Sequence, residues 1–264
     1  MTPTIRLAKK IAESGIASRR EAERIIESGR VIVDGQVVKT LVFFVSDESE
    51  ILIDGKRIPR KSEEAIIWKF YKPRGVITSR RDPGDRKTVF DFFPNVGERL
   101  LCIGRLDYNS EGLLLFTNNG SLARKFELPD AGLKRIYRVR IFGALTEEKI
   151  RILEKGITVE KVKYKPADIR IIRFGKANSW ITAVLSEGKN REIRKMAEYV
   201  GCTVNRLIRT DYGPFGLGGM TPGQIVRALP SEIAELPETI KAEFAFGTSA
   251  CRPNNFRKRI RLVK

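Results

Sequence analysis

Residues 104–120 read GRLDYNSEGLLLFTNNG. One carboxylate, Asp107, sits there in a short polar turn between two apolar runs, LLCIG at 100–104 and LLLFT at 113–117. Both runs are too short for a helix and are bounded by glycine or turn residues, so they read as buried strands whose ends can fix a side chain rigidly. Taken alone, Asp, Asn, Ser and Gly in succession are ordinary hairpin-turn residues, and most acidic residues in such turns only cap the backbone.

Outward from this stretch, strand-like runs outnumber helical ones. AIIWKFY (65–71), GVITS (75–79), RIYRVRIF (135–142), IRIIRF (169–174) and WITAVL (180–185) read as strands; SLARKFEL (121–128), TEEKIRILEKG (146–156) and NREIRKMAEYV (190–200) read as helices. The expected class is α+β, a mixed and mainly antiparallel sheet with flanking helices over residues 65–245. A helix starting near Asn190 puts Ile193, Met196, Ala197 and Val200 on its buried face and groups Arg191, Arg194 and Lys195.

The first 60 residues have a different pattern. Ile5, Ala8, Ile11 and Ala12 share one face of a short helix ending at Gly15, and Ser18-Arg19-Arg20-Glu21 has capping-box spacing ahead of the apolar stripe Ala22, Ile25, Ile26. VIVDG (31–35) and ILIDG (51–55) each run an apolar strand into an Asp-Gly hairpin turn. This predicts helix, helix and a small sheet. The charged stretch Pro59–Glu64 reads as a linker, and residues 246–264 form a basic tail, either a solvated arm or an extra RNA contact.

Composition narrows the function. Lys and Arg number 50 against 32 Asp and Glu, a net charge of +18 with a pI near 10.0, which points to a polyanionic partner, nucleic acid in the first place. No apolar run approaches the roughly 20 residues that span a bilayer and no signal peptide is evident, so a cytoplasmic protein is expected, with no membrane partner. The chain has no histidine, and Cys102, Cys202 and Cys251 are far apart, which argues against a zinc site and rules out Ser-His or Cys-His nucleophiles. No Walker A sequence occurs, and GPFGLGGM (213–220) lacks dinucleotide spacing, so no cofactor, metal or nucleotide is expected. Acid–base work falls to carboxylates, Tyr, Lys or water.

GRLDYNSEGLLLFTNNG closely resembles the signature of a group of bacterial ribosomal-RNA pseudouridine synthases, the A-type enzymes of the small subunit together with the B- and F-type enzymes of the large one, in which the aspartate after Gly-Arg-Leu is catalytic. ASRREAERIIESGRVIVDG (17–35) resembles the alpha-L RNA-binding domain, and KPRG (72–75), SEGKNREIRKM (186–196) and NRLIRTDYGPFGL (205–217) extend the likeness to about residue 230. The sequence departs at Asn109-Ser110 and Asn118-Asn119, where relatives often carry other polar residues.

The resemblance implies a cofactor-free isomerisation of uridine in ribosomal RNA, with a large-subunit target favoured over a small-subunit one. It makes Asp107 the catalytic carboxylate and Arg194 its partner, Arg105 being the alternative. An arginine within roughly 4–6 Å lowers an aspartate's pKa by about 1–3 units and offsets desolvation. It also makes Tyr137 the residue that stacks on the target uracil and a candidate for proton handling at carbon 5. Arg6, Lys9, Lys10, Arg19, Arg20 and Arg24 crowd the first two helices, and Lys72, Arg74, Arg80, Arg81, Arg86, Arg105 and Arg191 lie in or beside the motifs. These residues are the expected RNA contacts of a monomer. Two other readings are a non-catalytic ribosome-assembly factor, against which the intact Asp107 counts, and a glycosidic hydrolase, which would want a second carboxylate such as Glu111.

Overall fold

A computed structural model describes residues 4–59, 64–80, 82–93, 99–175 and 177–244. Arg81, most of the 59–64 linker and the 246–264 tail with Cys251 lie outside them.

The chain begins with β1 (Ile5–Arg6), α1 (Leu7–Glu13), α2 (Arg19–Glu27), β2 (Val31–Val33), β3 (Gln36–Val38), β4 (Phe44–Val45), β5 (Ile51–Ile53) and β6 (Lys56–Arg57). The capping box at Ser18 forms as expected: its hydroxyl accepts from the Glu21 amide at 3.1 Å, and the Glu21 carboxylate accepts from the Ser18 amide at 3.4 Å. Asp34 and Asp54 adopt positive φ (47° and 50°) ahead of their glycines, the geometry of tight turns that match strand twist. Strands β3-β2-β5-β6 make one antiparallel sheet. Helix α1 is shorter than expected. Ile5 pairs with Val45 in a strand, and Leu7, Ala8 and Ile11 form the buried face in place of Ile5 and Ala12. With Ala22, Ile26, Val31 and Ile51, these residues form one apolar core confined to residues 5–58.

There follow β7 (Ile67–Lys72), β8 (Leu101–Ile103), β9 (Glu111–Thr117), α3 (Gly120–Glu127), β10 (Arg135–Phe142), α4 (Glu147–Glu154), β11 (Ile157–Val159), β12 (Val162–Tyr164), β13 (Asp168–Arg173), β14 (Asn178–Leu185), α5 (Glu192–Tyr199), β15 (Thr203–Tyr212), β16 (Phe215–Gly216), β17 (Ile225–Arg227), α6 (Pro230–Ala234) and α7 (Glu238–Lys241). The main sheet has the order β13-β14-β10-β15-β9-β7-β17, with β8 also on β9 and β16 on β15. Every pairing in it is antiparallel except β9 with β15.

That parallel junction, through Ile208–Glu111 and Arg209–Gly112, joins two halves with separate cores. One half packs Val139, Ile181 and Leu153 with Met196 and Ala197 of α5; the other packs Ile67, Leu115, Phe126 and Phe215 in one cluster and Phe70, Leu114 and Phe116 in a second. Gly112 lies at the seam with φ +108°, where an added Cβ would overlap the Arg209 carbonyl oxygen and stand 2.7 Å from the Arg209 nitrogen. Only glycine allows that approach.

GVITS is not a strand. Among the described residues a lone bridge from Ile77 to Thr88 is its only strand-like pairing, and Thr78 instead turns its hydroxyl to the Leu106 carbonyl at 2.8 Å. Helix α5 begins at Glu192 rather than Asn190, because Arg191 adopts the left-handed conformation (φ 52°) and halts the helix there. Its buried apolar residues Ile193, Met196 and Ala197, with Val200 after it, are those the periodicity predicts, while the buried Glu192 is not.

Candidate active site

The polar turn between β8 and β9 is fastened from several directions. The Gly104 amide donates to Glu127 Oε1 (3.0 Å), the Gly75 amide to the Tyr108 carbonyl (2.9 Å) and the Ser110 amide back to the Asp107 carbonyl (3.0 Å). Lys72 Nζ donates to the Ser110 carbonyl at 2.8 Å and to the Pro73 carbonyl at 3.0 Å. Each such bond, if its partner were lost from a buried group, would cost about 1–3 kcal/mol. The turn is thus a rigid mount, and Asp107 projects from it with a third of its side chain open to solvent.

Two arginines approach that carboxylate. Arg194 Nε lies 4.0 Å and Arg191 Nη1 3.9 Å from Asp107 Oδ2, ion-pair distances without a direct hydrogen bond. The two are held differently. Arg194 is a largely covered strut whose Nη1 donates to the Val204 carbonyl (3.0 Å) and whose Nη2 donates to the Asn109 carbonyl (3.3 Å), leaving Nε buried with no hydrogen-bond partner among the described residues. Arg191 is half exposed, and the left-handed backbone at that position aims it. Burial lowers the Arg194 pKa, Arg191 adds to this, and Asp107 opposes it. Arg105 is exposed, and among the described residues Asp107 pairs with Arg191 and Arg194 rather than with it.

Asp107 opens into a cavity of about 400 Å³, a volume suited to one nucleotide. Tyr137, 8% exposed on β10, lines it with Leu106, Leu185, Ile193 and Leu207. Its base is polar. Arg135 Nη2 donates to Tyr212 Oη (2.8 Å), which donates to the Phe126 carbonyl (2.8 Å), and the Arg135 and Arg209 guanidiniums lie 4.6 and 5.1 Å from the Tyr212 ring centroid. Burial raises the Tyr212 pKa against the pull of Arg135 and Arg209, which keeps the phenol protonated.

The cavity also receives Glu192, 4% exposed, whose Oε2 accepts from the Lys189 amide at 3.0 Å and braces the turn carrying Arg191. Burial beside Glu187 pushes its carboxyl up to about 7. Glu187 is also penalised by burial, but the Lys165 amide and the Lys189 ammonium outweigh this and hold its pKa down. Among the described residues no group of three or more Cys, Asp or Glu is placed to hold a metal.

Residues 66–199 match the RNA pseudouridylate synthase family, and residues 5–51 match the S4 domain. The chain belongs to the RNA pseudouridine synthase family. It is 45% identical over 218 residues to an uncharacterized RNA pseudouridine synthase of Rickettsia felis, covering 83% of this chain and 94% of that one. It is 39% identical to the ribosomal large subunit pseudouridine synthase B of Bacillus subtilis (88% and 95% covered) and 40% identical to that of Escherichia coli (91% and 87%). A crystal structure of a pseudouridylate synthase superposes with a TM-score of 0.63 at 27% identity, over 88% of this chain and all of the other.

In this synthase the N-terminal basic residues stand where RNA could meet them: Arg6, Arg19, Arg20 and Arg24 are exposed, while Lys9 lies 3.7 Å from Glu13 and Lys10 pairs with Asp47. Arg74 is exposed, and Arg86 forms a two-pronged pair with Asp82. One of the expected RNA contacts is placed otherwise. Lys72 is fully buried, its pKa lowered to about 8 by desolvation against the pull of Asp107 and Glu111, and it supports the Asp107 turn from beneath. Arg80 is exposed, with its guanidinium donating to the Leu100 carbonyl and lying 4.5 Å from the Phe90 ring centroid. Glu111, the second carboxylate a hydrolase would need, is buried with both oxygens on Arg206, at 2.6 and 3.1 Å.

Arg135, Arg209, Tyr212 and Glu192 did not stand out in the sequence. Arg135 carried a usable signal: it lies two residues before Tyr137 on a strand and therefore shares its face. Asn118 and Asn119, at departures from the motif, have structural uses. Asn118 bonds the Ile66 amide, and Asn119 caps α3 by accepting from Ser121 and Leu122.

Among the described residues no helix is long and apolar enough to cross a membrane.

Proposed function

We propose that this enzyme isomerises one specific uridine of large-subunit ribosomal RNA to pseudouridine, with Asp107 as the catalytic carboxylate. The observation that carries the chemistry is the rigidly mounted Asp107, flanked by Arg191 and Arg194, at the mouth of a nucleotide-sized cavity lined by Tyr137. The large-subunit target is supported by the B-type relatives, which match along nearly their whole length.

The reaction breaks the bond from ribose C1′ to uracil N1 and forms one from C1′ to C5. N1 gains a proton and C5 loses one, so the change is an isomerisation with no net redox. Asp107 supplies the carboxylate oxygen that acts on the ribose or the base, with the Arg191 and Arg194 guanidiniums 3.9 and 4.0 Å from it. The leucine and isoleucine walls hold the detached uracil until it re-bonds. Tyr137 stacks on the base and stands ready to handle the proton at C5. A uracil inside a helix can present neither bond to Asp107, so the target is flipped out, at a cost of a few kcal/mol that is least at a weakly paired site.

Residues 1–60 anchor the substrate through phosphates, residues 65–245 carry the chemistry, and the enzyme works as a cytoplasmic monomer. Mapping pseudouridine across the ribosomal RNA of cells lacking the gene tests the assignment. One large-subunit site should disappear and return with the wild-type gene but not with Asp107→Asn. Loss of a small-subunit site, or of none, would overturn it.

A further inference from the structure

Tyr108 immediately follows the catalytic aspartate, and the cavity does not absorb it. Its side chain is 45% exposed, a large aromatic ring presented at the surface rather than packed into a core. Its position is fixed. The Gly75 amide donates to the Tyr108 carbonyl at 2.9 Å, and the ring lies over the KPRG turn so closely that a Cβ on Gly75 would stand 3.8 Å from Tyr108 Oη.

The Arg86 guanidinium lies 5.9 Å from the ring centroid. Arg86 is itself clamped. Its Nε and Nη2 donate to the two oxygens of Asp82 at 2.9 and 2.8 Å, and the Asp82 carboxylate also accepts from the amides of Gly84 and Arg86. The Asp82 side chain is 6% exposed while that of Arg86 is 57% exposed, so a buried anion holds a solvent-facing cation against an exposed ring. Arg74, also exposed, adjoins the same turn.

An exposed aromatic with one guanidinium over its ring and a second exposed arginine in the adjoining turn, next in sequence to Asp107, has the make-up of a single-strand stacking platform. A nucleobase offers its face to the ring, and the phosphate beside it meets the guanidinium. We propose that Tyr108, with Arg86 and Arg74 beside it, binds the nucleotide adjacent to the target uridine, stacking its base on the Tyr108 ring. The enzyme then holds two unstacked nucleotides, the target in the cavity and its neighbour on the Tyr108 ring. This rests on the RNA substrate proposed above. The neighbour's base is read by stacking, so the platform selects an unpaired flank more than a particular letter.

The test is a binding and turnover cycle on a synthetic RNA stem–loop carrying the mapped uridine. In it the base on either side is replaced, one at a time, by an abasic residue. A stacked base contributes about 5- to 150-fold in affinity. Tyr108→Ala should weaken binding within that range and raise KM far more than it lowers kcat, while Tyr108→Phe should restore both. One of the two abasic RNAs should bind wild type as weakly as Tyr108→Ala binds the intact RNA, and on that RNA the mutation should have no further effect.

The proposal is overturned if Tyr108→Ala binds intact RNA like wild type. It is equally overturned if the penalty persists on both abasic RNAs, if Tyr108→Phe is as impaired as Tyr108→Ala, or if kcat falls with KM unchanged, which would mean that the mutation only disturbed Asp107. Wild-type turnover on the intact stem–loop separates the two readings. Its absence counts against the proposed substrate, whereas the coupling between Tyr108 and the flanking base is read from affinity alone.

Discussion

The arginines of the N-terminal 60 residues and those around the cavity are one residue type put to opposite uses. Arg6, Arg19 and Arg20 are exposed and make no side-chain hydrogen bond or ion pair with the described residues, so their charge faces solvent and any polyanion there. Arg135 and Arg209 are buried and Arg194 nearly so, its side chain 11% exposed, and their guanidiniums donate to the Leu133, Val204, Asn109 and Leu113 carbonyls and to Tyr212. The first group can attract RNA at the cost of little structure. The second is structure, and its charge is directed inward at Asp107 and the space beside it. A net charge of +18 therefore overstates the binding surface, because part of it is architectural.

The largest effect should come from the group the buried set serves. Asp107→Asn removes one charged oxygen from a turn held by other contacts, so melting temperature and RNA affinity should stay near wild type while turnover falls on the order of 10³-fold or more. Substantial residual turnover by the purified variant would break the contrast at its centre. Arg194→Met should come next, losing turnover and also about 1–3 kcal/mol of stability, since the Val204 and Asn109 carbonyls lose their donor. Arg191→Met, at a half-exposed position, should lose turnover with little change in stability, and Arg105→Met should lose least. The reverse order would move the partnership to Arg105, the alternative.

Salt dependence separates the two groups directly. Replacing Arg19 and Arg20 with alanine should flatten the plot of log affinity against log salt by roughly 0.7–0.9 for each phosphate no longer engaged. Lys72→Met, which removes one positive charge from a buried site, should leave that slope unchanged and lower stability by about 1–3 kcal/mol instead. Equal slopes for wild type and the double-arginine variant would strike α2 from the phosphate-binding surface.

The smallest effect concerns an acidic counterpart. Glu192 titrates near 7 in the fold, raised first by burial, against an ordinary value of 4.5. Between those values the folded state holds a proton that the unfolded chain has released. The resulting stabilisation is complete below about pH 4.5 and is lost as pH rises through 7. Glu192→Gln, a permanent mimic of the protonated form, should flatten stability between pH 5 and 8 and gain on the order of 1–3 kcal/mol at pH 8. Thermal melts across that range check it, and a curve parallel to wild type would mean that Glu192 is ionised throughout.

What was legible in the sequence was what neighbours along the chain decide. The Ser18–Glu21 capping box, the Asp-Gly turns, the buried face of α5 and the strand bearing Tyr137 all follow from spacings of two to four residues. The misreadings share the opposite cause. Ile5 leaves the helix to pair with Val45, forty residues on, and Thr78 is drawn out of a strand by Leu106. Lys72 looked like a surface cation, but β7 is covered on both faces, so neither alternation nor charge marked it as buried. The parallel junction of β9 with β15 has no local signature at all, and it brings Arg206 to Glu111 and Arg209 to the cavity.

At that junction Gly112 leaves no gap between two strands that carry different parts of the site. A methyl group there would add no charge, remove no hydrogen-bonding side chain and touch neither Asp107 nor Arg194. It would wedge apart the two halves of the sheet, one bearing the carboxylate and the other its guanidinium partners. The enzyme could thus be silenced by a spacer alone, with every reactive group still present and only their separation wrong.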